Sequence, residues 1–261
     1  QRCGGCSLQH WSLAAQQQHQ QASLLAMLQS VVPALSLDPP VTSQATGFRH
    51  RLRLLVTRTA EKGYVLGLRQ RQSHVAESLQ HCVVANAAVN SVLQALPGML
   101  LTAPDLQGLR EIEIDADSNN QLGLCFYFAA APGAKVLSAL RAAVLAGPVI
   151  ALRVRLIAHR KSRSEAQYDE AGGEDTAQSR ELHAEGELCL KLEVPAAHDG
   201  VAMRALELAY LPGDFTQTNR PVNAALLART LDWLRPHSDE IAIDLFAGIG
   251  NFSLPLALRA K

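Results

Sequence analysis

Cys3-Gly4-Gly5-Cys6 opens the chain, and Cys82 follows far downstream. A Cys-x-x-Cys pair can hold one metal ion or cluster, or cycle as a dithiol. A thioredoxin-like redox pair needs a strand before it and a helix after it in a βαβ unit, and that context is absent. Zinc takes two more nearby ligands, for which His10 and His81 are available. The other two cysteines, Cys125 and Cys189, sit in alternating stretches and read as small core or surface residues. Five cysteines, an odd number, make a disulfide framework a poor reading.

A second constellation is Asp244-Leu245-Phe246-Ala247-Gly248-Ile249-Gly250-Asn251-Phe252. Glycines let a backbone pass close to a ligand, and a following helix N-terminus favours negative charge there. A dinucleotide fingerprint would place a third glycine near Ser253. With Ser253 there and Asp244 before the turn, the segment resembles the first motif of class I S-adenosylmethionine methyltransferases. That resemblance makes Asp244, Phe246, Gly248, Gly250 and Asn251 candidate cofactor contacts. An ordinary tight βα turn is the plainer alternative. Upstream, Phe215-Thr216-Gln217-Thr218-Asn219 is a polar loop, and by itself Asn219 need be no more than a helix-entry residue. Arg49, Arg51 and Arg53 alternate along a predicted strand, so all three point to one face. Such a face suits phosphate contacts, with Arg69 and Arg71 extending it, and equally suits pairing with carboxylates.

These groups need elements to hold them. Ser12 caps a predicted helix running to about Val32, stopped by Pro33, with Leu24, Leu25, Leu28, Val31 and Val32 as its apolar face. The block 16–21, rich in glutamine, reads as the solvated side of that helix. Residues 49–56 and 64–68 read as a hairpin about a turn at 61–63, and 111–115 with 122–128 as a second. Helices are expected over 83–96, closed by Pro97-Gly98, and over 135–145. Strands are expected over 149–157 and 187–194, with a polar loop or extended hairpin tip over 159–185 between them. Its basic start, 159–163, is followed by acidic residues and is assigned no role. Pro221 suits the first turn of a helix carrying Val222, Leu226, Leu227, Leu231 and Leu234. Residues 241–246 then read as a buried strand, and 252–260 as the start of a helix.

The fold class expected is an α+β central domain with a mostly antiparallel sheet, followed by the first β-α element of a class I, Rossmann-like α/β methyltransferase domain. The divisions are a cysteine segment at 1–11, a linker helix at 12–45, an RNA-facing α+β domain at 46–210 and the start of a methyltransferase domain at 211–261. With 261 residues, 48% of them apolar, a sizeable core is expected. Formal charge is zero, from 24 basic and 24 acidic side chains, which argues against coating nucleic acid by charge alone. No apolar run is long and uncharged enough to span a bilayer. Both ends read as internal positions, so the chain is expected to be part of a longer protein.

Taken in order, 3–10, 47–53, 214–219 and 244–252 make the chain resemble the bacterial 23S rRNA (uracil-5-)-methyltransferases that carry an iron–sulfur cluster. The resemblance implies a [4Fe-4S] cluster held by four cysteines. Three match Cys3, Cys6 and Cys82, and the fourth would precede Gln1. It places Phe215 and Gln217 beside a flipped target uracil, with Gln217 also in the cofactor pocket, and tips Arg49, Arg51 and Arg53 towards RNA. It implies S-adenosylmethionine as methyl donor, 23S rRNA as partner, a cytoplasmic location and a monomeric full-length enzyme. Family members often have cysteine where this chain has Ala247, a departure of little expected effect.

The implied chemistry is covalent. A cysteine thiolate adds to uracil C6, C5 takes the methyl group, and a base removes the C5 proton. The nucleophile and base positions match nothing in this sequence, so the 261-residue chain alone is expected to be inactive. The alternatives are a tRNA (uracil-C5) methyltransferase, disfavoured by the paired cysteines, and a non-catalytic cluster or zinc RNA-binding module. A nicotinamide-dependent oxidoreductase is disfavoured by the missing third glycine.

Overall fold

A computed structural model describes residues 2–59, 63–73, 75–102, 106–157, 180–195 and 203–260. The turn expected at 61–63 lies outside them except for Gly63, and so does the loop or hairpin tip expected at 159–185 except for 180–185, which forms a strand. Strands β1 (Arg51–Thr59), β2 (Gly63–Arg69), β3 (Ala76–Ser78), β4 (Leu109–Ala116), β5 (Leu122–Phe128), β6 (Val149–Leu156) and β7 (Arg180–Glu185) form one sheet. Its order is β3-β2-β1-β4-β5-β6-β7. Every pairing in it is antiparallel except β5 with β6, which helix α3 (Ala134–Leu145) connects.

Period-two alternation decides what each face carries. Leu52, Leu54 and Val56 of β1, with Ile112 and Ile114 of β4 and Leu124, Phe126 and Phe128 of β5, point to one side and are buried. There they meet α2 (Ala87–Thr102) and α3 in the main core. The intervening residues Arg51, Arg53, Glu111, Glu113, Asp115, Cys125, Tyr127 and Arg153 face the other way. That face is polar, yet β5 is buried along its whole length. A second layer covers it. The hairpin of β8 (Leu188–Pro195) and β9 (Met203–Tyr210) brings Leu188 against Gly123, where an added Cβ would lie 2.8 Å from a Leu188 methyl. Helix α4 (Arg220–Leu234) packs on the hairpin through Leu227 and Leu231, forming a smaller core.

Helix α1 (Leu13–Gln29) starts where Ser12 caps it, its hydroxyl accepting from the Ala15 amide. Of its expected apolar face, Leu24, Leu28, Val31 and Val32 are exposed and Leu25 is half-buried, and no residue of α1 is buried. Helix α2 starts later than expected and runs through Pro97 instead of stopping there. Burial of Leu96 and Leu100 against the sheet holds the turn beyond the proline. The largest departure is at 241–246. No strand forms there, and Ile241, Ile243 and Leu245 are exposed. A strand buried on both faces needs neighbours, and among the described residues none lies alongside. The short helix α5 (Ser253–Ala257) follows. Among the described residues no helix is long and apolar enough to cross a membrane.

Candidate functional site

Loop 215–219 is held at both ends by the covered polar face of the sheet. At its front, the turn 211–214 presses onto β5. Gly213 has φ +87°, and a Cβ there would lie 2.9 Å from both Cys125 Sγ and the Tyr127 hydroxyl. Only glycine tolerates both the dihedral and the approach. Asp214 then locks the turn. One oxygen accepts from the Leu211 amide at 3.1 Å, and the other pairs with Arg153 Nη1 at 2.6 Å. Arg153 is itself buried and fixed from behind by Glu181 at 2.8 Å. At the rear of the loop, the His50 amide donates to the Thr218 carbonyl at 3.3 Å. Asn219 caps α4 through the Val222 amide and donates its own amide to Ser43 at 2.7 Å. Between the anchors, Thr216 is buried and Phe215 is 72% exposed. The loop therefore offers an aromatic ring to solvent from a fixed base, with Gln217 half-buried beside it.

His50 is buried under this loop, and among the described residues its Nε2 has no hydrogen-bond partner. Burial, then the Arg220 and Arg51 cations, hold its pKa down at about 3. The folded state thus excludes a proton that the unfolded chain takes up below about pH 6.5. His50 contributes stability that is fully present above that value and is lost as pH falls towards about 3. Asp115 acts in the opposite sense. Burial pushes it up to about 6, so folding binds a proton there and its ionisation costs stability as pH rises from about 4 to 6. A His50→Gln variant separates the two. Wild type should lose about 2–3 kcal/mol relative to the variant between pH 7 and about pH 4.5. Urea midpoints across that range check this, and a wild-type-to-variant gap that is flat with pH rejects it.

The three cysteines line a common cavity of about 480 Å³ with Arg49, Arg53 and His81. Gly4 and Gly5 let the segment lie on the end of β2, for a Cβ on Gly4 would sit 2.8 Å from the Arg69 carbonyl. Asn90, buried in α2, holds the Cys82 loop by accepting from the Cys82 amide and donating to the Cys82 and Ala85 carbonyls. Burial and then the neighbouring Cys82 and Cys3 push the Cys6 thiol up. Among the described residues no three His, Cys, Asp or Glu side chains are grouped closely enough to hold a metal ion. The thiols share a cavity without converging on one point.

Arg51 and Arg53 do share the polar face of β1, which is covered at Arg51 and open to solvent at Arg53. Arg51 is buried, bonded to Asp115 and 3.2 Å from Glu113. Arg53 pairs with Glu111 at 2.6 Å and lies 3.9 Å over the Tyr127 ring. Arg49 is half-buried and donates to the Arg51 carbonyl at 3.1 Å. The charge-paired alternative therefore describes Arg51 and Arg53, because β4 places Glu113 and Asp115 in register opposite them. The alternation was legible in β1; the partners on β4 are acidic at the same period of two, a signal that could have been read from Glu111, Glu113 and Asp115.

In the glycine turn, Gly248 and Gly250 both take positive φ, and so does the fully exposed Phe246 at 66°. A Cβ on Gly248 would meet nothing closer than 3.9 Å, so the turn borders open space. Asp244 accepts from the Ser253 hydroxyl at 2.6 Å, and Asn251 exchanges amide bonds with buried Asn223 of α4 at 2.8 and 3.0 Å. Sequence reading missed Asn223 and Arg153, neither of which belongs to a recognisable motif, and it gave Asp214, which opens the 214–219 motif, no role of its own.

No protein-family profile matches the chain. It is 31% identical over 268 residues to the 23S rRNA (uracil(1939)-C(5))-methyltransferase RlmD of Shewanella frigidimarina, covering 100% of this chain and 54% of that protein. Against the same enzyme of Nitrosococcus oceani it is 32% identical, covering 98% and 52%. Against that of Pseudomonas putida it is 31% identical, covering 100% and 51%. The chain thus spans about half the length of the curated relatives it matches. Among solved structures, it is similar to the tRNA (uracil-54, C5)-methyltransferase of Pyrococcus abyssi, crystallised with S-adenosyl-L-homocysteine. The TM-score is 0.67 at 16% identity, over 98% of this chain and 56% of that one. This likeness concerns the fold.

Proposed function

From a chain homologous along its whole length to half of a 23S rRNA (uracil-C5)-methyltransferase, we infer a role in methylating uracil C5 of 23S rRNA. The observation that carries this reading is loop 215–219. An exposed ring on a base clamped at both ends is what stacking against an extruded nucleotide requires. Phe215 would stack on the uracil, and the Gln217 amide would hydrogen-bond at the same pocket.

Residues 244–251 fit a methyl-donor site. The space over Gly248 lets a ligand approach the peptide backbone, and Asn251 is fixed by Asn223. Asp244, Phe246, Gly248, Gly250 and Asn251, with Gln217, would hold S-adenosylmethionine, which when bound supplies an electrophilic methyl group. Cys3, Cys6 and Cys82 would hold three corners of a [4Fe-4S] cluster, the shared cavity being the support for that assignment. A fourth ligand must come from outside these three thiols.

Covalent catalysis needs an accessible thiolate. Cys125 is buried, and burial pushes its thiol up to about 11; burial also raises that of Cys189. Neither suits the nucleophile, so residues 1–261 alone should transfer no methyl group. The test uses the complete gene product with labelled S-adenosylmethionine and unmodified 23S rRNA or tRNA, the same preparation being assayed for iron and acid-labile sulfide. Label in 5-methyluridine from 23S rRNA is expected. Label in tRNA alone would move the substrate, and none in either RNA would reject the reading.

A further inference from the structure

Beside loop 215–219 runs a groove of about 740 Å³ between α1 and the segment 40–49. Its chemistry is unusual for a surface cleft on an RNA-modifying protein. One wall carries Gln17, Gln20 and Gln21, brought to one side of α1 by helical spacing, and the other carries Thr42 and Gln44. Arg49 is the one charged residue among the described residues that line it. Gln16 is already committed, donating to the Trp11 carbonyl at 3.0 Å and so fixing the start of the helix. Among the described residues Gln17, Gln20 and Gln21 make no side-chain hydrogen bond, and the exposed Trp11 ring also lines the cleft.

We propose that this groove binds the single-stranded nucleotides next to the target base, reading their edges through the free glutamine amides. The inference rests on the methyltransferase reading and adds a recognition surface to it. Carboxamides offer donors and acceptors together, which is the complement of exposed base edges, and an aromatic ring gives a stacking end. A phosphate-tracking groove would instead be lined by several cations. The cleft is also continuous with the base loop. Asn219, which ends that loop, donates to Ser43 on the groove wall, and both residues line the groove. Duplex RNA would not suit it, because paired bases have their edges occupied.

The test measures binding of a short fluorescent single-stranded RNA of mixed sequence, and of its duplex, to the 261-residue chain. The variant is Gln17→Ala/Gln20→Ala/Gln21→Ala, which keeps helix propensity and removes only exposed or half-buried side chains. Three neutral hydrogen bonds predict single-strand affinity lowered about tenfold to a hundredfold. The slope of log affinity against log salt should stay unchanged, because no phosphate contact is lost. Unchanged affinity, or equal loss for duplex and single strand, overturns the groove assignment while leaving the methyltransferase reading intact. So does a wild-type groove occupied by a protein segment that RNA cannot displace. Wild type that neither binds RNA here nor, as the complete gene product, methylates it overturns both.

Discussion

Replacing Arg51 with leucine is expected to destabilise the chain by about 3–5 kcal/mol, the loss that follows when one member of a buried ion pair is removed. The guanidinium is buried between Glu113 and Asp115, and Asp115 is fully inaccessible. Tyr210 adds a hydrogen bond to the second Asp115 oxygen at 3.3 Å, tying β9 into the same group. Without Arg51, two carboxylates on neighbouring positions of β4's polar face would be left with no buried cation between them. Burial already pushes Asp115 up to about 6, so in the variant it would fold protonated or not at all. Replacing both partners, Arg51→Leu/Asp115→Leu, should recover most of the loss, since a well-packed apolar pair is often as stable as a buried ion pair. Urea unfolding of the single and double variants measures this. A single-variant loss below about 1 kcal/mol would show the network to be solvated, contrary to its burial.

That network also explains where sequence reading succeeded and where it stopped. The hairpins, α3, α4 and its Asn219 cap follow from alternation, helical spacing and capping chemistry, which are local. Arginine at 49, 51 and 53 signalled a charged face, but period two says only that residues share a side. Whether that side meets water depends on what the chain lays over it more than a hundred residues later. Here β8, β9 and the 211–214 turn cover it at Arg51 and leave Arg53 exposed, and long-range placement of that kind leaves no local trace. The 241–246 segment shows the converse. Its composition is that of a buried strand, and local propensity is satisfied, but a strand forms only with a partner to take its amide and carbonyl groups. The apolar side of α1 repeats the point: helical spacing marked the stripe without saying what, if anything, would cover it. At the candidate site, Phe215, Gln217 and the glycine turn were visible as motifs, whereas Arg153 and Asn223, which brace them, are single residues outside any motif.

Those supports set the second large effect. In the methylation assay of the complete gene product, Asp214→Ala and Arg153→Leu should each lower kcat about tenfold to a hundredfold, because small misplacement of a positioning group is that costly. KM for S-adenosylmethionine should rise less than kcat falls, since of the proposed cofactor contacts only Gln217 lies on the clamped loop. Arg153 holds the residue directly before Phe215, donates weakly to the Pro212 carbonyl at 3.4 Å and is braced by Glu181. Lysine at 153 supplies charge without the planar fork and should rescue only in part. The loss in the double variant should fall short of the product of the two single losses, for both remove the Arg153–Asp214 contact. Asp214 is about one-third exposed, so the ion pair contributes modestly to global stability and the folded fraction should survive. Amide hydrogen exchange over 211–218 separates positioning from unfolding. Faster exchange confined to that loop, with kcat reduced, fits a clamp. Unchanged kcat with the loop loosened would show that Phe215 finds its place without Arg153, and the loop's geometry would then have to be attributed to the rear anchors at His50 and Asn219.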